Sequence, residues 1–208
     1  MQADILGFNL AQLTASGCPP VLDFEVGNSR YCVELNGYAR RKVQEVKPDV
    51  LIMAGYWSLY NGNDRWDELD MGMLASTIST VQDLGVKKVV VVGHLPTYTV
   101  NQTDMLRKRF PGDTVNIRTY NHFKETVIGV NEKIARTARE KGAQFISPLD
   151  VLCNSQGCML SLADDTIIPV AFDYGHLTAE GSTYLVSKLF EYNLMEQAEV
   201  LQDGKTGH

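Results

Sequence analysis

The chain has 208 residues, of which 44% are hydrophobic and 21% are charged, and its formal net charge is −6. These values are typical of a globular domain that is long enough to bury a sizeable core. The acidic balance and the lack of a basic stripe argue against a nucleic-acid-binding surface. No apolar run approaches the roughly 18 residues of a membrane-spanning helix, and no signal peptide opens the chain, so we expect no direct membrane insertion.

Hydrophobic periodicity predicts helices that alternate with short apolar strands. The predicted helices cover residues 3–16, 34–46, 67–84, 102–110, 123–141 and 178–195. The predicted strands cover residues 50–54, 87–92 and 144–147, after a short extended segment at 21–26. Residues 159–162 and 167–171 are expected to pair as a small hairpin. Residues 198–208 are expected to form a frayed tail, which leaves residues 1–197 as a single domain.

This alternation predicts a mostly parallel sheet between helical layers, a three-layer α/β/α sandwich. In such sheets the ligand lies at the carboxyl ends of the strands. The loops that begin at Tyr56 and Gly93, and the turn at Asp173, are expected at that edge.

The four cysteines form two local pairs, Cys18 with Cys32 and Cys153 with Cys158. The second pair brackets residues 154–157, a turn-forming sequence that could bring its ends within disulfide distance. Two disulfides would place the chain in the periplasm or on the extracellular face, where conditions are oxidising. One alternative is four free thiols in a cytosolic protein. Another is a zinc site, although the spacing is loose and no histidine lies at short range.

Asp173 precedes His176 by three residues, on a turn that opens a helix. A carboxylate at this spacing can hold one imidazole nitrogen and leave the other free for proton transfer, as in a Ser-His-Asp triad. The spacing alone is weakly informative, because a histidine at a helix start is often only a surface or capping residue. Thr178 is the expected N-cap, and Gly181 and Ser182 are small enough for the first helical turn to pack closely on a neighbour.

The run Asp-x-x-His-Leu-Thr-x-x-Gly-Ser at residues 173–182 resembles the last block of the SGNH hydrolase superfamily. It resembles in particular the SGNH domains linked to the membrane acyltransferase-3 proteins that O-acetylate bacterial surface polysaccharides. Other segments follow in the order that this family has, so the resemblance covers most of the chain. These segments are Gly17-Cys18-Pro19-Pro20, Cys32, Lys47-Pro48-Asp49-Val50, Val89 to Val92 with Pro96, and the Cys153/Cys158 pair.

The resemblance implies an SGNH, flavodoxin-like fold and an acyltransferase or esterase activity on an acylated cell-surface carbohydrate. In the resembling enzymes His176 would take the proton of a serine hydroxyl, and Asp173 would hold the imidazole tautomer. The acyl-enzyme would pass its acyl group to water or to a sugar hydroxyl. The implied partner is a membrane acyltransferase domain of the same parent protein. No cofactor or metal is expected, because the carboxylates do not gather with histidines at ligand spacing.

The family's first block, Gly-Asp-Ser, is missing, so the nucleophile is not identified and we expect weak or no activity. Ser29 imitates the block in Gly27-Asn28-Ser29, but it lies between the first two cysteines, and a structural role is expected for Ser58. The strand of this block lies inside the family's sheet. Its loss predicts that another segment, such as the 198–208 tail or a second chain, fills the gap, or that the sheet rearranges.

The family's oxyanion hole usually draws on Gly-x-Asn-Asp, and at that place this chain has Gly55-Tyr56-Trp57-Ser58. We interpret Gly62-Asn63-Asp64, a few residues later, as a coincidence. Aromatic side chains near the expected site edge could stack on a sugar ring: Tyr56, Trp57, Tyr60, Trp66 and Tyr98. We predict Tyr56, Trp57, Tyr60 and His94 as substrate-binding residues. The alternatives are loop packing for the aromatic residues and a solvent-facing loop position for His94.

Two other functions fit the sequence. The first is a non-catalytic carbohydrate-binding or docking module on a degenerate SGNH scaffold, for which we expect glycan binding that His176→Ala does not affect. The second is an ordinary secreted esterase whose chain start has been misassigned, which Gly-Asp-Ser in the coding sequence upstream of Met1 would reveal.

Overall fold

The computed structural model describes residues 9–27, 29–62, 67–109, 117–162 and 167–189. The helices of these ranges are α1 (Tyr31–Val46), α2 (Met71–Asp83), α3 (Gln102–Arg109), α4 (Thr126–Glu140), α5 (Pro148–Leu152) and α6 (179–189). The strands are β1 (Val50–Ala54), β2 (Lys88–Val92), β3 (Arg118–Thr119), β4 (Gln144–Ile146), β5 (Cys153–Asn154), β6 (Gly157–Met159), β7 (Ser161–Leu162) and β8 (Ile168–Pro169).

The chain divides into two compact units. The first unit comprises Met1–Val91 and Thr137–Gln144, and the second comprises Val92–Arg136 and Phe145–His208. The predicted end of a single domain at residue 197 lies outside the described residues.

Strands β1, β2 and β4 form a parallel sheet in that order. At the start of β2, the N–H of Lys88 donates to the carbonyl of Asp49, just before β1, at 3.0 Å. At the other end, the N–H of Gly93 donates to the carbonyl of Ile146 in β4 at 2.8 Å. The starts of neighbouring strands therefore lie side by side, as do their ends, which is the arrangement of parallel strands. The predicted α/β fold with a parallel sheet is confirmed.

Strand β2 is buried as its sequence predicts, whereas β1 is not. The three central valines of β2 are buried, as is typical of a strand inside a parallel sheet. In β1 only Met53 is buried, and the side chains of Val50 and Ile52 are 47% and 60% exposed. Because alternate side chains share one face of a strand, β1 exposes an apolar face at the edge of the described sheet. The 198–208 tail, which was one of the segments predicted to replace the missing Gly-Asp-Ser strand, lies outside the described residues.

The amino-terminal predictions are only partly correct. Residues 9–15 have no regular secondary structure, so the helix predicted over 3–16 is wrong there, and its first six residues lie outside the described ranges. The extended segment predicted at 21–26 is not a strand, apart from one bridge between Val26 and Ser29. Instead, the buried Asn36 of α1 donates from Nδ2 to the carbonyls of Pro19 and Val21, both at 2.9 Å.

The next two helices lie close to their predicted positions. Helix α1 begins three residues earlier than predicted and ends at Val46. Its C-cap, Lys47, donates its N–H to the carbonyl of Val43, and its left-handed φ of 47° turns the chain out of the helix. Helix α2 begins four residues late, because Asp70 caps it by accepting the N–H of Gly72.

The second unit contains two small antiparallel elements. The predicted hairpin is confirmed as β7 paired with β8, with Ser161 opposite Pro169. Strands β3, β6 and β5 form a three-stranded sheet that the sequence analysis did not predict. The fully buried Tyr98 joins it to the core of this unit, because its hydroxyl donates to the carbonyl of Thr119 at 3.2 Å.

Candidate active site

The carboxyl ends of β2 and β4 carry a buried polar network in the second unit. Asn131 of α4 accepts the N–H of His94 at 2.9 Å and donates from Nδ2 to the hydroxyl of Ser147 at 3.3 Å. A Cβ at Gly93 would overlap Asn131 Oδ1 and the ring of Phe145, so only glycine fits there. Tight backbone packing therefore closes this end of the sheet.

His94 lies within this packed region rather than in a solvent-facing loop, since it is only 1% exposed. Burial lowers the pKa of its imidazole, and the charge of Lys124 acts in the same direction, while the carbonyl of Leu95 opposes them. The ring is therefore neutral at neutral pH, and its Nδ1–H donates to Leu95 O at 2.7 Å. A side chain so enclosed presents little surface to a substrate.

The loop after β2 and the start of α3 hold the turn at residues 172–174 through three consecutive carbonyls. The N–H of Tyr98 donates to Tyr174 O at 2.9 Å, and the N–H of Gln102 donates to Asp173 O at 3.0 Å. The hydroxyl of Thr103 donates to the carbonyl of Phe172 at 3.2 Å. The turn is fixed by a neighbouring element as well as by its own sequence.

Asp173 and His176 form a hydrogen-bonded pair within this turn. Oδ2 of Asp173 lies 2.7 Å from His176 Nδ1. Its other oxygen, Oδ1, accepts the backbone N–H groups of Gly175 at 2.9 Å and of His176 at 2.8 Å. Because a carboxylate only accepts, Nδ1 carries a proton and the lone pair of the neutral ring lies on Nε2.

The electrostatics of Asp173 favour the ionised carboxylate that accepts the hydrogen bond from His176. Partial burial by itself raises the pKa of the carboxyl, but the backbone N–H groups of His176 and Gly175 and the imidazole together outweigh it. The pKa of Asp173 therefore lies below its ordinary value, and the group is ionised at neutral pH.

Two aromatic rings flank the imidazole. The ring of Phe172 stacks on His176 with centroids 5.8 Å apart and an interplanar angle of 16°. The ring of Tyr174 approaches with its centroid at 5.5 Å and an angle of 66°. The His176 side chain is still 58% exposed, against 22% for Asp173. An exposed imidazole whose orientation is fixed by its neighbours is accessible to a substrate and can act as a general base.

The helix after the pair is anchored as predicted. The hydroxyl of Thr178 accepts the N–H of Gly181 at 3.0 Å and donates to Pro169 O at 2.7 Å, so it caps α6 and ties it to β8. A Cβ at Gly181 would overlap the carbonyl oxygen of Val170. The small residue allows the first turn of α6 to pack directly on the backbone of its neighbour.

The predicted substrate-binding residues Tyr56, Trp57 and Tyr60 belong to the first unit, whereas His94, Asp173 and His176 belong to the second. Trp57 and Tyr60 are buried in the first unit, and Tyr56 is half-buried. Phe24 packs edge-to-face against Tyr60 at 5.7 Å, and burial raises the pKa of Tyr60 to about 12. Their burial favours the loop-packing alternative. Trp66 and the Asn63-Asp64 pair lie outside the described residues.

The two serines considered as nucleophiles also lie in the first unit. The Oγ of Ser29 accepts the N–H of Tyr31 at 3.3 Å, at the start of α1. Ser58 lies in the short 3₁₀ helix Trp57–Leu59. Neither position gives independent support for a nucleophilic role.

Both predicted disulfides are present, Cys18 with Cys32 and Cys153 with Cys158. The alternatives of free thiols and of a cysteine zinc site are therefore wrong. The second disulfide joins directly opposed residues of β5 and β6. Because disulfides persist under oxidising conditions, the chain is placed in the periplasm or on the extracellular face, as predicted.

In the ranges that the structure describes, no three His, Cys, Asp or Glu side chains gather as a metal-ligand group. None of the helices there has the length and apolar character of a membrane-spanning segment.

Phe172 and Tyr174 were not predicted as neighbours of the imidazole, although they flank Asp173 in the sequence. Their position beside the motif was the available signal. Lys124 is a different case. Its Nζ lies 5.6 Å from the centroid of the Tyr174 ring, and only the fold brings these two residues together.

Comparisons with known proteins support this assignment of the fold. Among solved structures, the chain is similar to the periplasmic domain of the Salmonella ser. Paratyphi A lipopolysaccharide acetyltransferase, with 20% identity and a TM-score of 0.74. The match covers 92% of this chain and 76% of the other. A peptidoglycan O-acetylesterase is similar at 13% identity and a TM-score of 0.50, over 77% of this chain and 41% of the other. At these identities the likeness is one of fold.

No curated protein matches the sequence significantly. A family model does: the model of SGNH domains fused to AT3 domains matches residues 2–190. The match covers nearly the whole chain and includes the Asp173–His176 turn. The chain belongs to the family of SGNH domains that are fused to AT3 domains.

Proposed function

We propose that this chain is an O-acyltransferase or esterase domain that transfers or hydrolyses acetyl esters on a cell-surface carbohydrate. The observation that carries the proposal is the 2.7 Å contact between Asp173 Oδ2 and His176 Nδ1, in a turn that leaves the imidazole exposed. Family membership supports it, as does the similarity to a domain described as part of a lipopolysaccharide acetyltransferase.

In the proposed reaction, Nε2 of His176 takes the proton of a hydroxyl as that oxygen attacks the ester carbonyl. The resulting tetrahedral intermediate collapses and breaks the bond between the carbonyl carbon and the alcohol oxygen. His176 then returns the proton to the departing alcohol oxygen, so that protons balance. Asp173 keeps Nδ1 protonated throughout and stabilises the imidazolium that forms between the two steps.

The proposed reaction requires an attacking hydroxyl. In the family that the chain resembles it belongs to Gly-Asp-Ser, and the 208-residue sequence contains no such tripeptide. We therefore expect the chain as given to be weakly active or inactive on its own. The acyl donor would come from an AT3 membrane domain of the same parent protein, in keeping with the fused architecture of the family.

Hydrolysis of p-nitrophenyl acetate tests this function. We expect any turnover above the buffer rate to be slow, to disappear in His176→Ala and to be unchanged in Ser29→Ala. Turnover that is equal in the wild type and in His176→Ala would contradict an acid–base role for this residue. Turnover that disappears in Ser29→Ala would identify that serine as the nucleophile.

The second candidate is a non-catalytic carbohydrate-binding or docking module, which the absence of Gly-Asp-Ser from the sequence favours. It predicts that glycans bind equally to the wild type and to His176→Ala, and that neither protein hydrolyses an acetyl ester.

A further inference from the structure

A groove of about 410 Å³ lies in the second unit, between the end of β3 and the first turn of α4. Its lining combines two aromatic rings, an aliphatic side chain, a carboxylate and a glycine: Tyr120, Phe123, Ile128, Glu125 and Gly129. The volume is within the range of small-ligand sites. None of these residues belongs to the acid–base pair or was predicted from the sequence.

The aromatic wall of the groove is held rigidly. Tyr120 is 48% exposed, yet its hydroxyl donates to the carbonyl of Asn154 at 2.8 Å. Its ring also meets Phe123 edge-to-face at 5.6 Å, and Phe123 packs in turn on the buried Tyr98 at 5.9 Å. Because the hydroxyl is engaged, the surface that Tyr120 offers to a ligand is its ring. A fixed, half-exposed ring loses little conformational entropy when a ligand stacks on it.

The opposite wall is formed by α4. Glu125 is exposed just before the helix, and Ile128 is exposed within it. Apart from the adjoining residues and the backbone of α4 itself, no heavy atom lies within 4 Å of the position that a Cβ on Gly129 would take. The groove is therefore open above the helix. It combines apolar walls with a hydrogen-bond acceptor at its rim.

A continuous series of contacts links the groove to the imidazole. Lys124 follows Phe123 directly, and its Nζ lies 5.6 Å from the centroid of the Tyr174 ring. The Tyr174 ring in turn lies 5.5 Å from the ring of His176. Lys124 and Tyr174 thus connect the segment that forms the groove with the candidate catalytic group.

We propose that this groove binds a pyranose ring of the glycan whose acetyl ester reacts at His176. The C–H face of a sugar is apolar and stacks on an aromatic ring, while its hydroxyls donate to a carboxylate such as that of Glu125. A nucleic acid fits poorly, because the rim carries a carboxylate and the chain has a net charge of −6. This assignment rests on the proposed function and names its substrate-binding surface.

Titration of the isotope-labelled protein with cellotriose and with chitotriose, followed by NMR, tests the assignment. We expect saturable shifts of groove residues with at least one of the two sugars. Tyr120→Ala removes the stacking ring, and Gly129→Leu fills the open space with a residue that favours helix. Each should weaken binding about tenfold or more, which corresponds to about 1.4 kcal/mol. Thermal melting checks that both variants are folded.

The matched control is Tyr38→Ala, which removes another exposed tyrosine, on α1 of the first unit, and should bind like the wild type. If the sugars bind but ester hydrolysis does not depend on His176, the proposed function is contradicted and the groove assignment is still supported. Absence of binding by both sugars, or binding that neither Tyr120→Ala nor Gly129→Leu weakens, overturns the groove assignment.

Discussion

Asp173 holds His176 through both of its carboxylate oxygens: Oδ1 accepts the backbone N–H of His176 at 2.8 Å, and Oδ2 lies 2.7 Å from its Nδ1. The backbone bond fixes where the histidine lies, and the side-chain bond fixes which nitrogen carries the proton. Within the turn, Asp173 thus prepares the imidazole for proton transfer, while the loop after β2 and the start of α3 hold the turn in place.

We predict that Asp173→Asn abolishes the function of the imidazole without unfolding the turn. The amide oxygen would keep the two backbone N–H bonds of Oδ1, which turns the NH₂ group towards His176 Nδ1. Nδ1 must then accept, so the ring proton moves to Nε2, where the base is needed. Any His176-dependent hydrolysis of p-nitrophenyl acetate should fall by a factor on the order of 100 or more.

Asp83→Asn is the control for this prediction, since it removes an exposed carboxylate of α2 in the first unit. It should leave the rate unchanged. If Asp173→Asn retained the wild-type rate, the carboxylate would have no part in orienting the imidazole.

The pH dependence of stability should reveal the same carboxylate. The pKa of Asp173 is lowered on folding from an ordinary value of 3.8. Its stabilising contribution is therefore complete above that value and is lost as the pH falls through the folded-state pKa. We expect the difference in unfolding free energy between the wild type and Asp173→Asn to be constant near neutral pH. It should shrink below about pH 4.

Urea unfolding at a series of pH values measures this difference, and the same series on Asp83→Asn corrects for the general loss of one negative charge. A difference that grows as the pH falls would contradict the sign of the shift.

The sequence predicts the regular elements where local pattern decides them. The run of valines in β2 and helices α1 to α4 lie within a few residues of their predicted bounds, whereas the helix predicted over 3–16 is wrong at residues 9–15. Strands β3, β5 and β6 were missed, because segments of two or three residues have no measurable period. The exposure of Val50 and Ile52 was also missed, since the same apolar run suits a central or an edge strand.

In the candidate site, too, some features are indicated by the local sequence and others are revealed only by the fold. Asp173 and His176 are three residues apart, so their contact is local and their spacing indicates it. The burial of Trp57, Tyr60 and His94 depends on what packs around each loop, which residue type does not determine. The series of contacts from Lys124 to Tyr174 joins residues fifty positions apart. Only the fold reveals such a contact.

Two glycines in helices of the second unit should respond to alanine with opposite signs. At Gly181, the new Cβ would overlap the carbonyl oxygen of Val170, and backbone cannot move aside cheaply. We expect a loss of unfolding free energy of about 1–3 kcal/mol. At Gly129 the Cβ meets no heavy atom within 4 Å apart from the adjoining residues and the backbone of α4 itself, so the higher helix propensity of alanine should stabilise the protein by up to about 1 kcal/mol.

Urea denaturation curves of the two variants and the wild type measure both effects. A stable Gly181→Ala protein would mean that α6 and the backbone at Val170 are not packed as closely as this contact indicates.

The two disulfides should contribute unequally to stability, because they close loops of different length. The sequence separation is 14 residues for Cys18–Cys32 and 5 for Cys153–Cys158. The chain-entropy relation gives about 3 kcal/mol for the longer loop and about 2 kcal/mol for the shorter one. The shorter bond also adds little order, since β5 and β6 already pair as a hairpin.

Each disulfide can be isolated by replacing the other pair with alanine and comparing the oxidised and reduced forms of the same variant. This comparison cancels the loss of sulfur packing, which matters because Cys158 is fully buried. We expect reduction of Cys18–Cys32 to lower the unfolding free energy by about 1 kcal/mol more than reduction of Cys153–Cys158. An equal or larger loss from the short loop would mean that the covalent bond, rather than the strand pairing, holds β5 against β6.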